Sequence, residues 1–364
     1  MALSIINHNN TIVKKIVGKF EEVIPVRSGF SGWFPDETAP TLLVSVEVQR
    51  DNDLIASDVV RFTEGNKNKY TRASENLYQP PYFKEDYDFN RDQVYMTNIA
   101  QASILDNPVI NRLITMKAFE NVEKNRNKII RAIRKQQADV LQTGIVSMVN
   151  GDNVDYRRKA TSMVNVSTGL SAKYWDDVTS LPIDDIGYGL AFLRNIGNSG
   201  GSSVNVIMRT KALNALLNTT YMKDNGKNIL QQINRINIVM PQFDGVSGMG
   251  FHGVISSGDF TVNLWTYNEK YTDANGATQY YLAENLVVMI PDDFQGKTVF
   301  GGLPTLMESV VNGTSIAVPG IVEAPFMIRS YNDKKTLSST IELTSAPLVI
   351  PFTIDKIYTM QVFA

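Results

Sequence analysis

Apolar positions fall into two periods along the chain. Across residues 41–49, Leu42, Val44, Val46 and Val48 share one side of an extended backbone and Leu43, Ser45, Glu47 and Gln49 the other. That alternation predicts a strand with one sheltered face. Arg50-Asp-Asn-Asp53 supplies turn chemistry, and Leu54–Phe62 reads as the returning strand, so 41–64 is expected to form a long hairpin. A polar stretch, Thr63–Arg72, follows it. Two strands alone are marginal in water, so this hairpin must pack on its own subunit or on a neighbour.

From 106 to 149 the period lengthens. Asp106-Asn107-Pro108 is a helix start, a capping residue followed by proline in the first turn. Ile110, Leu113, Ile114, Phe119, Val122, Ile129, Ile130, Ile133, Val140 and Leu141 then recur at helical spacing, opposite Glu120, Lys124, Lys128, Arg131, Lys135 and Asp139. Nothing interrupts the pattern before Gly144, and roughly 36 residues at 1.5 Å each span about 55 Å. A break near Met116–Ala118 would divide the helix in two. The heptad lapses at Arg126 and Gln136-Gln137, which argues for a spine in a globular body over a coiled coil.

The remainder mixes short elements. Residues 1–40 lack periodicity, carry Gly29, Gly32, Pro35 and Pro40, and hold an aromatic cluster, Phe30 to Phe34. They read as an extended arm or a frayed end, and Trp33 and Phe34 are costly to leave in water, which suggests docking. A compact α/β segment is expected over 180–217: a helix from Pro182 to Gly197, a strand Val204–Met208, and a helix Lys211–Leu217 capped by Thr210. Further strands are expected at Ile236–Met240 and Leu286–Ile290. Pro241–Gly253 reads as a glycine-rich loop, and an Asn-Gly turn at Asp273–Gly276 joins a hairpin. A last hairpin turns at Asn332–Lys335, and one or two strands close the chain over 350–363.

Composition narrows the chemistry. The 364 residues are 43% hydrophobic, ample for two or three domains. Charge is balanced, 35 basic against 37 acidic residues, net −2, so the overall basic excess of a nucleic-acid gripper is missing. There is no cysteine, which removes disulfides and thiolate sites, and only His8 and His252 could serve a triad or a histidine metal site. The N-terminal apolar run is too short for a signal peptide and no membrane span is expected, so the product reads as soluble and unsecreted.

Candidate motifs are better explained without catalysis. Gly248-Met-Gly250-Phe-His-Gly253 spells GxGxxG, but a strand rather than a helix follows, so a dinucleotide has no helix N-terminus to meet. Gly296-Lys297-Thr298 resembles the end of a phosphate loop, yet Pro291 stands where that loop needs glycine. The acid pairs Asp176-Asp177, Asp184-Asp185 and Asp292-Asp293 fit turns and helix starts better than acid–base chemistry. The basic run Arg126–Lys135 reads as a solvated helix face, with contact to DNA or a partner as the other option. Asn165-Val-Ser and Asn312-Gly-Thr match glycosylation acceptors by chance spelling. No catalytic, cofactor-binding or metal residue is assigned.

At this point a family comes into view. The hairpin of 41–64, the long helix running into Leu141-Gln-Thr-Gly144 and Asn153–Arg157, Tyr174-Trp175, Val204–Arg209, Trp265-Thr-Tyr267, Asn285–Pro291, Phe300-Gly-Gly302 and the closing Ser345–Phe363 occur in order along most of the chain. Together they resemble the lambda-like major head proteins, phage major capsid protein E, with the Hong Kong 97-like fold. The resemblance implies an α+β chain with an N-terminal arm (1–40), an extended β-hairpin loop (41–95), a peripheral domain with a spine helix (96–170 and 301–346), and an axial α/β domain (171–300 and 347–364). It implies a non-enzymatic protein of the virion, assembled in the host cytoplasm into hexamers and pentamers of an icosahedral head. Its implied partners are copies of itself, a portal, a scaffold or protease, a decoration protein, and packaged double-stranded DNA held without sequence preference; no cofactor and no membrane are implied. A nanocompartment shell, or a tail or decoration protein, is the alternative. Candidate assembly contacts are Trp33, Phe34, Val46, Val48, Arg50, Asp51 and Asp53, with Asp224 and Lys227 facing the capsomer axis.

Overall fold

The computed structural model describes residues 26–48, 74–90, 107–148, 153–169, 172–220, 222–223, 236–257, 259–273, 275–311, 314–333 and 338–364. In chain order the first strands are β1 (Asp36–Thr38), β2 (Val44–Val48), β3 (Ser74–Tyr78) and β4 (Phe83–Asn90). The spine helix α1 (Asn107–Thr143) leads into a small hairpin, β5 (Ile145–Ser147) and β6 (Asn153–Asp155). Strand β7 (Met163–Asn165), helix α2 (Pro182–Asn195), strand β8 (Ser203–Met208) and helix α3 (Thr210–Asn218) follow. Then come β9 (Ile236–Phe243), β10 (Met249–Ser257), β11 (Phe260–Tyr267), β12 (Lys270–Thr272), β13 (Thr278–Tyr280), β14 (Leu286–Pro291) and β15 (Gly296–Phe300). The chain ends with β16 (Leu303–Val311), β17 (Thr314–Val322), β18 (Met327–Asp333), β19 (Ser338–Ser345), β20 (Pro347–Pro351) and β21 (Tyr358–Gln361).

A seven-stranded sheet in the order β7-β21-β14-β8-β11-β10-β9 organises the molecule. Its inner strands β8, β11, β14 and β21 are largely apolar on both sides, and their alternate residues enter two different cores. Val204, Val206, Met208, Val262, Leu264, Val287, Met289 and Met360 pack under α2 and α3 with Leu190, Leu193, Leu213 and Leu216. Their neighbours Ile207, Tyr267, Val288 and Ile290 turn the other way, toward the spine helix residues Ile129, Ile133, Val140 and Leu141. A two-residue period with both faces covered gives near-continuous apolar strands, as in Val204–Met208 and Leu286–Ile290.

The spine helix runs unbroken through Met116–Ala118. Its lapse at Gln136-Gln137 is a polar joint rather than a flaw: Gln137 is fully buried and donates to Thr298 Oγ1 at 3.1 Å. One turn on, the Gln142 amide brackets the β13–β14 connection, donating to Tyr281 O at 2.9 Å and accepting from Ala283 N at 2.8 Å. Phe119, expected on the apolar face, is instead 66% exposed. The three-stranded sheet β18-β19-β4 lies beside the helix, joined by Lys128 to Glu85 at 2.9 Å.

Several expectations are corrected. Strand β2 pairs antiparallel with β3, Val48 opposite Ser74, a partner the sequence did not suggest; the turn expected at 50–53 and the strand expected over 54–62 lie outside the described residues. Thr210 does not cap α3 with its own side chain; the Asn268 carbonyl oxygen accepts from Thr210 N at 3.3 Å and its amide donates to Thr210 Oγ1 at 2.8 Å. Much of the expected loop at 241–253 is strand. Gly250 and Gly253 belong to β10, and the register slips between Phe251 and Gly253, where Val239-Met240-Pro241 bulges out of β9. Gly253 sits at φ +128°, and a Cβ there would lie 2.2 Å from Asn237 O. Glycine is required at this position because another strand's backbone occupies the space. Gly276, at φ +81°, closes the 273–277 turn as expected.

The bulge generates a prediction. Gly253→Ala should lower the unfolding free energy by about 2 kcal/mol or more, read as a fall in the urea midpoint. Gly187→Ala on α2, where an added Cβ meets nothing within 4 Å, should leave the midpoint unchanged or raise it by up to about 1 kcal/mol.

Candidate assembly surfaces

From residue 26 onward the arm docks on its own subunit. Ser28 N and Gly29 N donate to Val246 O and Ser247 O at 2.8 and 3.2 Å, and Gly29 takes φ +53° against Tyr267. That turn drops Phe30 into the core, its ring centroid 4.6 Å from Tyr267. Phe34 is fully buried, edge-on to Phe294 at 5.6 Å, and its carbonyl accepts from Thr298 Oγ1. Trp33 is half-buried against the same cluster. Phe34 is therefore internal core and offers no surface to a neighbour, which corrects its reading as an assembly contact. The aromatic signal was real, but its partner is the chain's own sheet.

The other candidate contacts divide by position. Val46 and Val48 lie in β2, opposite Asn76 and Ser74 of β3. Those strands form the foot of the segment 49–73. Val44 at the foot is buried, while Leu42 and Leu43 just before it are exposed. Arg50, Asp51, Asp53, Asp224 and Lys227 lie outside the described residues.

One joint was not legible in the sequence. Arg158 ties the spine helix to the seven-stranded sheet through six hydrogen bonds. Its guanidinium caps the helix C-terminus at Leu141 O (3.1 Å) and Gln142 O (3.2 Å). It also reaches Ser162 Oγ (2.8 Å), Ser162 O (3.0 Å), Ile357 O (2.9 Å) and Thr359 Oγ1 (2.8 Å). Burial pushes its pKa down and Asp355 opposes that shift; a full set of carbonyl and hydroxyl acceptors is what a cation needs in such a site. Gly144, at φ +75°, leaves the space that the Arg158 stem fills. Lys159 adds an ion pair to Asp355 at 3.3 Å.

Residues that spelled possible chemistry hold loops together. Asp185 is buried and accepts from Trp175 Nε1 at 2.9 Å. Burial would raise the Asp293 pKa, but Lys356 at 2.6 Å, Ser199 Oγ and Gly200 N together bring it below the usual carboxylate range. Lys297, in β15 rather than a phosphate loop, pairs with Glu37 at 2.6 Å. In the basic run, Lys128 and Lys135 pair with Glu85 and Asp139, and Arg126 lies over the Phe326 ring at 5.5 Å. Asn165 hydrogen-bonds Ser167 and Tyr174. Among the described residues no cluster of His, Asp or Glu could hold a metal, and no helix is long and apolar enough to cross a membrane.

What remains on the outside is apolar surface and projecting ribbon. β16 and β17 pair with each other over nine residues each, about 30 Å. They are rooted by buried Leu303, by Thr38 Oγ1 on Glu323 at 2.7 Å and by Arg329 on Pro304 O. Val318 and Ile321 on β17 are exposed. On the seven-stranded sheet and its helix layer, Ile238, Met240, Phe243 and Val246 are exposed on β9 and the turn after it, with Arg27 over the Phe243 ring at 4.8 Å, and Val178, Leu181 and Tyr188 on and before α2.

The chain thus combines a sheet covered on both faces, a spine helix and ribbons that, among the described residues, pair only two by two. Its backbone matches a prophage capsid protein of E. coli CFT073 with a TM-score of 0.56 over 98% of both chains, at 16% identity. The capsid of bacteriophage PhiM1 matches at 0.46 (11% identity, 94% of this chain, 90% of that one). The SrpI encapsulin of Synechococcus elongatus PCC 7942 matches at 0.42 (10% identity, 96% and 94%). Scores below 0.5 add no weight, and the E. coli match carries the fold, which is Hong Kong 97-like. No curated protein sequence matches. The family model for phage major capsid protein E matches residues 22–362, and the chain belongs to that family.

Two predictions follow from the joint and from the edge. Arg158→Met leaves the carbonyls of Gln142 and Ile357 without their guanidinium donor and Leu141 O with Thr359 Oγ1 alone, and should lower the urea midpoint by the equivalent of about 3 kcal/mol or more. His252, opposite the β9 bulge, is bonded to Thr266 Oγ1 at 2.8 Å, and burial lowers its pKa. With the folded value below the unfolded one, the unfolded chain takes up the proton first. The imidazole therefore costs nothing near pH 8, and stability falls as pH drops through the ordinary imidazole value toward the depressed one. His252→Gln should flatten that part of a stability–pH curve.

Proposed function

We propose that the chain is the shell subunit of a tailed-phage head, assembling as hexamers and pentamers into an icosahedral container for double-stranded DNA, and acting by assembly rather than catalysis. The observation that carries this reading is a subunit with its own buried cores that also holds ribbons which, among the described residues, pair only two by two: β2 with β3, and the β16–β17 hairpin. Two-stranded ribbons gain little in water alone, so their length is accounted for by burial on siblings. Many such weak contacts add up in a closed shell. A net charge of −2 limits repulsion among crowded copies, and packaged DNA needs no tight grip.

In this reading 41–95 overlaps an adjacent subunit of the same capsomer. Segments 96–170 and 301–346 form the peripheral domain around α1 and the β18–β19 hairpin, and 171–300 with 347–364 forms the axial domain. Portal, scaffold or protease and decoration protein are the outside partners, met in the host cytoplasm before the subunit reaches the virion.

Deleting residues 50–60 should leave a folded, soluble chain that forms no capsomers, judged by circular dichroism and negative-stain microscopy. Normal shells from the deletion would contradict the overlap. Particles purified from phage-producing cells should protect double-stranded DNA from nuclease; an enclosed enzyme in its place would mark a nanocompartment instead.

A further inference from the structure

The stretch Phe300-Gly301-Gly302 joins β15 to β16 and sits where the roots of the two ribbons meet. Four chain ends converge on it. On one side, residues 39–41 run past on their way into β2. Ala39 N donates to Phe300 O and Gly302 N to Thr41 O, both at 2.8 Å, which carries the β1–β15 pairing beyond Thr38 and Phe300. On the other side, Gly301 N donates to Ala346 O at 2.8 Å, and buried Pro80, just after β3, closes over Gly301. Ile321, the next-to-last residue of β17, closes over Gly302. The fourth end is β16 itself, which leaves Gly302 through buried Leu303.

This convergence needs both glycines. A Cβ on Gly301 would stand 2.9 Å from Pro80 Cγ. A Cβ on Gly302 would stand 2.4 Å from Ile321 Cγ2 and 3.1 Å from Pro40 O. Neither residue has a positive φ, so glycine supplies close approach here and not an unusual backbone conformation. A second link lies beside the first. Thr38 Oγ1 donates to Glu323 Oε1 at 2.7 Å, tying the strand that precedes β2 to the residue that follows β17. Beyond their roots the ribbons separate. They form different two-stranded sheets, and among the described residues no strand of one pairs with a strand of the other.

We propose that the two ribbons are energetically coupled through Gly301-Gly302 and the Thr38–Glu323 link, so that ordering either one orders the other and the subunit presents them as a single fork. Two strands bury little, so each ribbon by itself is marginal and opens at small free-energy cost. Whatever fixes the root of such a ribbon shifts its balance between open and paired. Here the same residues fix both roots. If the end of β17 moves off Gly302, Ile321 leaves the backbone at Pro40 and the entry to β2 loses a wall. If the exit from β3 moves, Pro80 leaves Gly301 and the start of β16 loses one. Coupling of this kind is reciprocal, with the same factor in both directions. One consequence rests on the assembly reading above: the first ribbon to seat on a neighbour removes part of the ordering cost of the second, so the two contacts form together.

Amide hydrogen exchange of the full-length chain, kept dilute and unassembled, tests the coupling. Ile321→Ala/Glu323→Ala changes only exposed side chains at the end of β17. It should speed exchange in its own ribbon and, at least about fivefold, in the other one, over 44–48 and 74–78. Pro80→Ala, beside β3, should do the same over 303–311 and 314–322. Val318→Ala, exposed and further out along β17, should leave 44–48 and 74–78 at the wild-type rate. The core strands 204–208 and 286–290 should be unchanged in all three variants. Acceleration confined to the altered ribbon, equal acceleration in the core strands, or a Val318→Ala effect as large as that at the root would overturn the coupling. Gly302→Ala provides a second reading. It drives a methyl group into Ile321 and should accelerate both ribbons at once. Adding Ile321→Ala trades one methyl for another across the same contact and should return both ribbons toward wild type. Recovery of one ribbon alone, or of neither, contradicts the proposal. The assembly reading is judged separately: wild-type chain that forms no particles when concentrated removes that reading, and the exchange rates still decide the coupling.

Discussion

Burial of the seven-stranded sheet on both faces is the constraint from which the rest of the subunit follows. Strands such as Val204–Met208 and Leu286–Ile290 have no polar side, so a second layer is needed on each face. On one face α2 and α3 complete a small α/β layer. On the other, the C-terminal half of the spine helix, the arm at Phe30 and Phe34, and strands β15 and β20 close a second core. The helix serves that core from Ile129 onward, and just before it Asn125 and Lys128 hold the β18-β19-β4 sheet through Glu85.

Two polar devices keep those bodies in register. Gln137 and Gln142 lock the helix to β15 and to the strand connection at 281–283, and Arg158 locks the helix end to β21.

Local pattern carried much of this fold. The spine helix was legible because its apolar period runs long without proline or glycine, and α2 because proline and two acids open it. Strand β14 and the turn at Gly276 were equally plain. Long-range choices were not. The partner of β2 is decided by what lies beyond residue 73, and nothing in 41–64 records it. The β16–β17 hairpin was not anticipated: it carries Pro304, Pro319 and Gly320, residues uncommon inside strands, but in a two-stranded ribbon a proline can sit where its missing N–H faces outward. Trp33 and Phe34 signalled docking correctly, but composition cannot tell a chain's own core from a neighbour's. Arg158 left no signal at all, since a lone arginine after a turn has no pattern until the carbonyls around it are assembled.

The family and the fold together describe a subunit that is finished inside and unfinished outside. Its self-sufficiency ends at the two-stranded ribbons, and those are where free energy remains to be gained by association. Sedimentation velocity and negative-stain microscopy of the full-length chain, expressed alone and concentrated, test that claim most directly. Rings or closed particles that grow with concentration are the predicted result. A population that stays a stable monomer at high concentration would contradict the account.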